Sequence, residues 1–260
     1  MKIKAILLSL LCFVGITTAT AQSDVWVWKG GRAVKTEMAD SITFTAPALT
    51  GSDRDLAEAT TEDIGKIIGE DGKIYATKEA AEAAGTTAVA MIAYVGNDAE
   101  TNSTYRHGMA LALKDVSGTK TWCSKYDATC LSTQYSSESA AKDDMAGLAN
   151  TDALVSHDGS HTHAAATAAR NYQYADSVAE GVHPLVTSAW FLPSAGQWDK
   201  MATAAGGYAN LKTNAELQSD YYWSSSEVDA YFAWGFYADG GVWLYDVKGV
   251  DNLVRPCLAF

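Results

Sequence analysis

Basic residues are scarce in this sequence, which carries 19 Lys and Arg against 31 Asp and Glu and a net charge of −12. Proteins that bind nucleic acid neutralise its phosphates with Lys and Arg, and anionic lipid attracts the same side chains. The acidity therefore argues against nucleic acid and against an anionic membrane surface as partners. Beyond residue 21 the sequence also lacks an apolar run long enough for a transmembrane helix, so we expect no membrane insertion.

The common motifs of catalysis and cofactor binding are missing too. No Gly-x-Ser-x-Gly elbow accompanies the serines of Ser224–Glu227, and no Gly-x-Gly-x-x-Gly pattern or Walker lysine occurs. The serine run is interpreted as hydroxyl groups that satisfy backbone groups at the end of a strand. The sequence predicts no catalytic residue, no metal and no cofactor.

Cysteine is sparse, and its spacing contains no Cys-x-x-Cys pair. Besides Cys12 in the N-terminal apolar run there are Cys123, Cys130 and Cys257, an odd number for an exported protein. Cys123 and Cys130 are close enough in sequence to form a disulfide loop in an oxidising compartment, and whether they do is left open. Cys257 lies in the strand-like segment LVRPCLAF, where a small buried apolar residue is the commoner role.

Three of the five histidines lie together in the segment SHDGSHTH, as His157, His161 and His163. They form the most metal-like cluster of the sequence, but residues two apart do not share a helix face. A His-x-Glu-x-x-His spacing is absent. The favoured interpretation is a solvated helix entry capped by Ser160 or Thr162, with a metal site as the alternative.

The N-terminal segment predicts export. Two lysines precede an apolar core, Ala5–Ile16, and residues 19–21 form a small-x-small cleavage site. Residues 1–21 are therefore expected to be a signal peptide, and the large residue before Cys12 argues against a lipid anchor. We expect the protein to be secreted or displayed at the cell surface.

The remainder of the chain divides by composition. Val25–Trp28, the turn Lys29–Arg32 and Asp40–Phe44 predict a small β-hairpin. The stretch that follows is polar and without periodicity, which is typical of a linker. The predicted regions are the β-hairpin at 22–46, the linker at 47–62 and one α+β domain at 63–260.

Hydrophobic patterning predicts both strands and helices within the domain. Thr87–Val95 is almost entirely apolar and is expected to be a central strand, with Gly108–Val116 as its neighbour. Ser194 is expected to cap a helix that runs to about Ala205. Other helices are predicted at Lys78–Ala84, Ser136–Asn150 and Thr162–Asp176.

The last forty residues, 221–260, are rich in aromatic side chains. If Trp234 and Phe236 face the core, alternation places Tyr237 on the opposite face, and Tyr231, Trp243 and Tyr245 are expected to join it. Exposed aromatics of this kind are typical of a recognition surface. Strands are predicted near 220–227, 231–238, 241–247 and 253–259, with a turn at Asp239–Gly241 that needs positive φ angles.

Three motifs of the sequence resemble one family. WFLPSAGQW, YYWSSSE and the closing VRPCLAF resemble the variable proteins of bacterial diversity-generating retroelements, which are secreted proteins with a C-type lectin-like domain. The resemblance covers residues 63–260 and implies an α+β, C-type lectin-like fold with a mainly antiparallel sheet and flanking helices. It also implies that residues 221–260 are rewritten by error-prone reverse transcription at template adenines.

In that family the C-terminal segment contains both scaffold and ligand-binding positions. The resemblance implies scaffold roles for Trp234, Phe236, Val242, Lys248 and Arg255. Every implied binding position except Trp243 is a residue type that a pyrimidine-ending codon can encode. The implied binding positions are Val228, Asp229, Tyr231, Phe232, Gly235, Tyr237, Asp239, Gly241, Trp243, Leu244, Tyr245, Asp246, Gly249, Val250, Asp251 and Asn252.

These features predict an exported, non-enzymatic binding protein that recognises a variable protein or a cell-surface or phage receptor. Three alternatives are a formylglycine-generating-type enzyme, a metal-dependent enzyme using the histidines, and a pilus or surface-assembly subunit docking through the N-terminal hairpin. The reactive cysteine pair of formylglycine-generating enzymes is not carried over, since Cys257 stands alone near the C-terminus. The calcium-dependent sugar motifs of C-type lectins are absent, and the oligomeric state is left open.

Overall fold

The computed structural model describes residues 51–101, 104–125, 128–157 and 161–260, together with the backbone of four short strands before residue 51. The chain divides into two compact units, residues 1–50 and 51–260. Among the described residues, no helix combines the length and the apolar character needed to cross a bilayer.

The first unit contains a β-hairpin, as predicted. Its strands β2 (Val25–Lys29) and β3 (Arg32–Thr36) pair antiparallel, with Lys29 opposite Arg32. The second strand of the hairpin is therefore Arg32–Thr36 and does not come from Asp40–Phe44. In the stretch 40–44, β4 (Ile42–Thr43) pairs with β1 (Thr18–Ala19), which belongs to the predicted signal peptide. The rest of that peptide, residues 1–17 and 20–21, lies outside the described residues.

The second unit is an α+β structure built on a six-stranded antiparallel sheet. From one edge to the other its strands are β15 (Cys257–Ala259), β9 (Gly108–Ala112), β8 (Ala88–Val95), β6 (Ile67–Gly69), β7 (Lys73–Tyr75) and β5 (Gly51–Asp55). Every residue of β8 except Tyr94 is buried. The nearly all-apolar sequence of β8 thus correctly predicted a central strand.

The stretch 47–62, predicted as a linker, is part of the fold from Gly51 onwards. It supplies edge strand β5 and two 3-10 turns, whose apolar residues Leu56 and Ala59 are buried. The turns end at Asp63, a buried carboxylate that accepts hydrogen bonds from Lys66, the Thr60 backbone and Arg54. Burial opposes its ionisation, but these hydrogen bonds prevail and lower the pKa of Asp63 to about 2. Sequence patterning did not predict β5 and these turns because their apolar residues are few and widely spaced.

Six helices are found among the described residues: α1 (Lys78–Ala83), α2 (Glu138–Ala141), α3 (Gly147–Val155), α4 (Ala164–Arg170), α5 (Ala195–Ala204) and α6 (Tyr208–Asn214). Ser194 caps α5 as predicted, and Gln197 completes a capping box. The helix predicted at Thr162–Asp176 is shorter, and α6 was not predicted.

The helix predicted over Ser136–Asn150 is broken at Asp144. The carboxylate of Asp144 accepts the Ala146 backbone N–H at 3.0 Å, and its carbonyl accepts the Gly196 N–H and the Ser194 hydroxyl. A Cβ at Gly196 would lie 2.4 Å from that carbonyl oxygen. The start of α5 therefore draws the chain out of the helical path, which no local propensity indicates.

The C-terminal segment forms a second, three-stranded antiparallel sheet of β11 (Tyr221–Glu227), β12 (Phe232–Tyr237) and β13 (Val242–Val247). Beside it, β10 (Lys120–Thr121) pairs with β14 (Asp251–Asn252). Trp198 of α5 is fully buried and lies 4.8 Å, ring centre to ring centre, from Phe236. The same buried cluster contains Met91 and Met109 of the six-stranded sheet, so α5 joins the two sheets through one core.

Candidate functional site

The pairing register of the three-stranded sheet decides which side chains share a face. In β12 and β13, Trp234 lies opposite Tyr245 and Phe236 opposite Trp243. Because directly paired residues point to the same side of a sheet, these four side chains share one face. Tyr237, by contrast, lies opposite Val242 on the other face. The single exposed face predicted for Tyr237, Trp243 and Tyr245 is therefore divided between the two sides of the sheet.

The predicted binding positions differ widely in exposure. Those exposed to solvent are Asp229, Tyr231, Tyr237, Asp239, Leu244, Tyr245, Gly249, Val250 and Asp251. Phe232, Gly241 and Asp246 are half-buried, whereas Val228, Gly235, Trp243 and Asn252 are buried. The prediction that Trp234 and Phe236 are core residues is confirmed. The buried four offer little surface to a ligand, which argues against them as contact positions.

Trp243 is buried because it closes the core over Phe236. Its ring lies 5.5 Å from that of Phe236, and its indole N–H donates to the Tyr208 hydroxyl at 2.6 Å. Tyr208 in turn donates to Asp199 at 2.9 Å, and the Lys142 ammonium lies 5.7 Å from the Trp243 ring centre. A buried indole whose N–H is satisfied is a structural residue. The unpredicted helix α6, which carries Tyr208, supplies this partner.

Two glycines predicted to vary are held by close packing. A Cβ at Gly235 would lie 2.4 Å from the Tyr222 carbonyl oxygen and 2.5 Å from the Tyr221 ring. Gly241 has φ +66° in the predicted hairpin turn, and a Cβ there would lie 2.2 Å from the Tyr208 ring. A side chain at either position would force these neighbours to shift, so a substitution there is expected to cost stability.

Val228 and Asn252 are buried for different reasons. Val228 packs in the main core cluster, directly after β11, whose pairing with β12 is irregular between Trp223 and Glu227. Asn252 belongs to β14, pairs with Lys120 and donates its amide N–H to Asp246 at 3.3 Å. Both residues maintain the connections that lead into and out of the small sheet.

The exposed apolar side chains gather around edge strand β13. Their exposed fractions are 51% for Tyr231, 38% for Tyr237, 53% for Val242, 53% for Leu244 and 54% for Tyr245. Val242 was assigned to the scaffold, yet it lies beside Tyr237 at the surface. The surface position of Val242 follows from its pairing with the exposed Tyr237 across the hairpin turn, and its residue type does not indicate it.

Tyr245, Phe232 and Trp234 form a small aromatic group on the core-facing side of the sheet, and at the sheet edge this group reaches the solvent. The Tyr245 ring packs edge-on against Phe232 at 5.2 Å and against Trp234 at 5.5 Å, and Tyr231 lies 6.5 Å from Phe232. The buried Trp234 thus holds Tyr245 in place while more than half of the tyrosine surface stays exposed. Such a rigid, amphipathic side chain binds at low cost in conformational entropy.

Buried polar side chains brace this sheet. Glu227 and Lys248 form an ion pair at 2.5 Å with both side chains fully buried, and the Lys248 ammonium lies 5.1 Å from the Trp122 ring centre. Arg255, also buried, donates to Asp115 at 2.6 Å and to the Ala215 carbonyl at 2.7 Å. Every one of these charges is paired, as burial requires.

The serines of Ser224–Glu227 act as predicted, through hydrogen bonds within the protein. Ser224 donates to the Trp234 carbonyl at 2.7 Å, and Ser226 donates to Asp144 at 2.6 Å. Ser226 also accepts the Ala195 N–H at 2.9 Å. These hydroxyls fasten β11 to β12 and to the start of α5.

His163 of the histidine segment lies beside the two cysteines, a proximity that sequence spacing did not indicate. The N-cap residue of α4 is His163, which is 3% exposed and makes no side-chain capping hydrogen bond. The prediction of a solvated helix entry capped by Thr162 is therefore wrong. The other predicted cap, Ser160, lies outside the described residues. One donor atom each of Cys123, Cys130 and His163 fall within 4.8 Å of one another. The pKa of the Cys123 thiol is lowered because Cys130 donates a hydrogen bond to it and His163 lies beside it, and the pKa of Cys130 is raised.

A groove of about 400 Å³ lies elsewhere in the second unit, lined by Asp55, Leu56, Ala57, Gly72, His107, Leu185, Val186 and Phe260. Its ionisable groups are few, and the His107 ring is already hydrogen-bonded to the Ala59 carbonyl at 2.9 Å. It contains none of the predicted binding positions.

No family model and no curated protein matches this chain. Among solved structures, a fimbrial protein from Bacteroides ovatus ATCC 8483 is similar at 14% sequence identity with a TM-score of 0.49. The match covers 76% of this chain and 48% of that chain, so this chain spans about half the length of the fimbrial protein. A likeness of this degree assigns neither a fold family nor a function.

Proposed function

We propose that this chain is an exported, non-enzymatic binding protein whose second unit is a C-type lectin-like domain. Its binding surface, in this proposal, is edge strand β13 with the adjacent part of β12, and its ligand is a variable protein or a cell-surface molecule. The observation that carries the proposal is the exposure of Tyr231, Tyr245, Val242, Leu244 and Tyr237 around one edge strand. Exposed apolar patches on soluble domains mark interaction sites, and tyrosine is favoured there.

The scaffold beneath this surface supports the proposal. Trp234, Phe236 and Trp243 are buried, and the Glu227–Lys248 pair joins the end of β11 to the residue after β13 at one end of the small sheet. Surface substitutions cost within about 0.5 kcal/mol, whereas core changes cost several times more. A protein that diversifies its C-terminal segment needs this separation between fixed interior and variable surface.

The proposal includes diversification by a retroelement, and the DNA around the coding sequence tests it. A near-copy of the region encoding residues 221–260 is expected close by, together with a reverse-transcriptase gene. The two copies are expected to differ at template adenines, at the nine exposed positions Asp229, Tyr231, Tyr237, Asp239, Leu244, Tyr245, Gly249, Val250 and Asp251. A locus without such a copy would refute diversification.

Two displayed libraries test whether the surface and scaffold positions have been assigned correctly. One randomises the exposed residues Tyr231, Tyr237, Leu244 and Tyr245, and its matched control randomises the buried residues Val228, Gly235, Trp243 and Asn252. We expect most clones of the first library to resist protease and most of the second to be digested. Equal survival would show that the surface and the scaffold have been assigned wrongly.

A further inference from the structure

Cys123, Cys130 and His163 come from three separate places in the chain and meet beside the small sheet. Cys123 follows β10, Cys130 lies seven residues later, and His163 begins α4. Cys123 and His163 are buried and Cys130 is half-buried. A donor atom of each lies within 4.8 Å of the others, a separation that one metal ion can bridge.

The distance between the two sulfur atoms fits a shared metal ion. The Sγ atoms are 3.8 Å apart and both cysteines are free. Two thiolates bound to tetrahedral zinc, at about 2.3 Å each, lie about 3.8 Å from each other. A disulfide bond requires about 2.05 Å between the sulfurs.

The imidazoles around this pair have unused nitrogen atoms. The His163 ring lies beside the Cys123 thiol, but neither of its nitrogens makes a hydrogen bond of normal geometry with a described residue. Nδ1 of His157 and Nδ1 of His161 are likewise buried without one. Buried polar atoms are ordinarily satisfied, so an unpartnered group asks for an explanation. The His157 ring centre lies 5.2 Å from that of His163, and two imidazoles on one zinc have centres roughly 5 Å apart.

The surrounding structure holds the ligands in position before any metal binds. The Glu227 carboxylate accepts the Cys130 N–H at 2.7 Å, and the carbonyl of its ion-pair partner Lys248 accepts the Cys123 N–H at 3.1 Å. The Ser124 N–H donates to the Thr162 carbonyl at 2.8 Å, which fixes Cys123 beside His163. The backbones of both cysteines are thereby attached to the small sheet through one buried ion pair.

We propose that Cys123, Cys130 and His163 bind one zinc ion. His157 lies outside this group of three but beside the His163 ring, and it would move in to become the fourth ligand. Two thiolates and two imidazoles are a ligand set of closed, structural zinc sites. Binding releases the thiol protons to solvent and fills the coordination shell of the metal. The ion would fasten the loop of Cys123–Cys130 and the start of α4 to the sheet that carries the proposed binding surface.

Metal analysis of the full exported chain, purified without chelator or added metal, tests this proposal. We expect about one zinc per chain, lost on treatment with a strong chelator and restored by zinc chloride. The variants C130S and H163Q should lose at least about nine-tenths of the bound zinc, since each removes a ligand. The matched controls C257A and H183Q, which change a cysteine and a histidine outside the cluster, should keep it.

Two further measurements keep the result decisive if a variant fails to fold. Cobalt(II) added to the chelator-treated wild-type protein should give tetrahedral absorption with thiolate charge-transfer bands. Denaturation of the metal-free protein without reductant should expose the thiols of Cys123, Cys130 and Cys257. One reactive thiol per chain, with no bound metal, would show a Cys123–Cys130 disulfide and overturn the zinc site.

Discussion

Phe236 and Trp243 face each other across β12 and β13 with their ring centres 5.5 Å apart, although the sequence placed one in the core and the other on the binding surface. The pairing means that β13 contributes a core residue at Trp243 and exposed residues on either side, at Val242 and Leu244. Neighbouring residues of the edge strand therefore belong in turn to the exposed surface and to the buried scaffold.

Trp243→Ala should destabilise the protein by roughly 3–5 kcal/mol, the usual cost of removing a buried large aromatic side chain. It empties the space beside Phe236 and leaves the Tyr208 hydroxyl without the indole N–H. Leu244→Ala, one residue away and exposed, is the matched control and should change the free energy of unfolding by less than about 1 kcal/mol. Urea denaturation measures both, and equal losses would contradict the register of β13.

Trp234→Ala should likewise cost roughly 3–5 kcal/mol, since the ring is buried and its N–H donates to the Tyr135 carbonyl at 2.7 Å. Tyr237→Ala, in the same strand but on the opposite face, should change the melting temperature little. Thermal unfolding of the two variants compares them directly. A large loss for Tyr237→Ala would show that its face is covered.

Gly241→Ala and Gly240→Ala separate backbone strain from packing. Both glycines have positive φ angles, +66° and +84°, so an alanine pays about 1–2 kcal/mol of strain at either position. Only at Gly241 does the new Cβ also meet the Tyr208 ring, which should add about 1–3 kcal/mol. Chemical denaturation giving equal losses for the two would show that Tyr208 moves aside freely.

Lys248→Met should be strongly destabilising, by roughly 3–5 kcal/mol, because it leaves the buried Glu227 carboxylate without its ion-pair partner. The double change Glu227→Gln with Lys248→Met removes both charges and should recover part of that loss. A double-mutant cycle on the free energy of unfolding, completed by Glu227→Gln alone, gives the coupling between the two side chains. Additive losses would mean that each charge is stabilised independently.

Asp63 predicts a loss of stability in acid. Its pKa is about 2 in the folded protein against 3.8 ordinarily, so between these values the unfolded chain binds more protons. This contribution is present in full above about pH 4 and disappears as the pH falls through about 2. Denaturation midpoints between pH 2 and 5 should fall less steeply for Asp63→Asn than for the wild type. Parallel curves would exclude Asp63 as a source of the acid sensitivity.

Local sequence patterns predicted the elements whose cause is local. The apolar run of β8, the Ser194 cap of α5 and the glycine turn after Tyr237 all depend on neighbouring residues, and the structure confirms them. Alternation likewise predicted that Trp234 and Phe236 share one face and that Tyr237 lies on the other, because neighbouring side chains in a strand point to opposite faces. The helix predicted through Asp144 was wrong because its break comes from α5, distant in sequence.

The sequence by itself determined an acidic α+β chain with an aromatic C-terminal sheet, since composition and strand alternation are properties of consecutive residues. Only the tertiary structure decided that Trp243 and Gly235 are interior and that Val242 is surface, because pairing register and contact with Tyr208 and Tyr221 fix those environments. It also brought Cys123 and Cys130 to His163, across about forty residues, through hydrogen bonds between distant backbones. Residue type and spacing do not predict such contacts, because they form between residues that are distant in sequence and meet only when the chain folds.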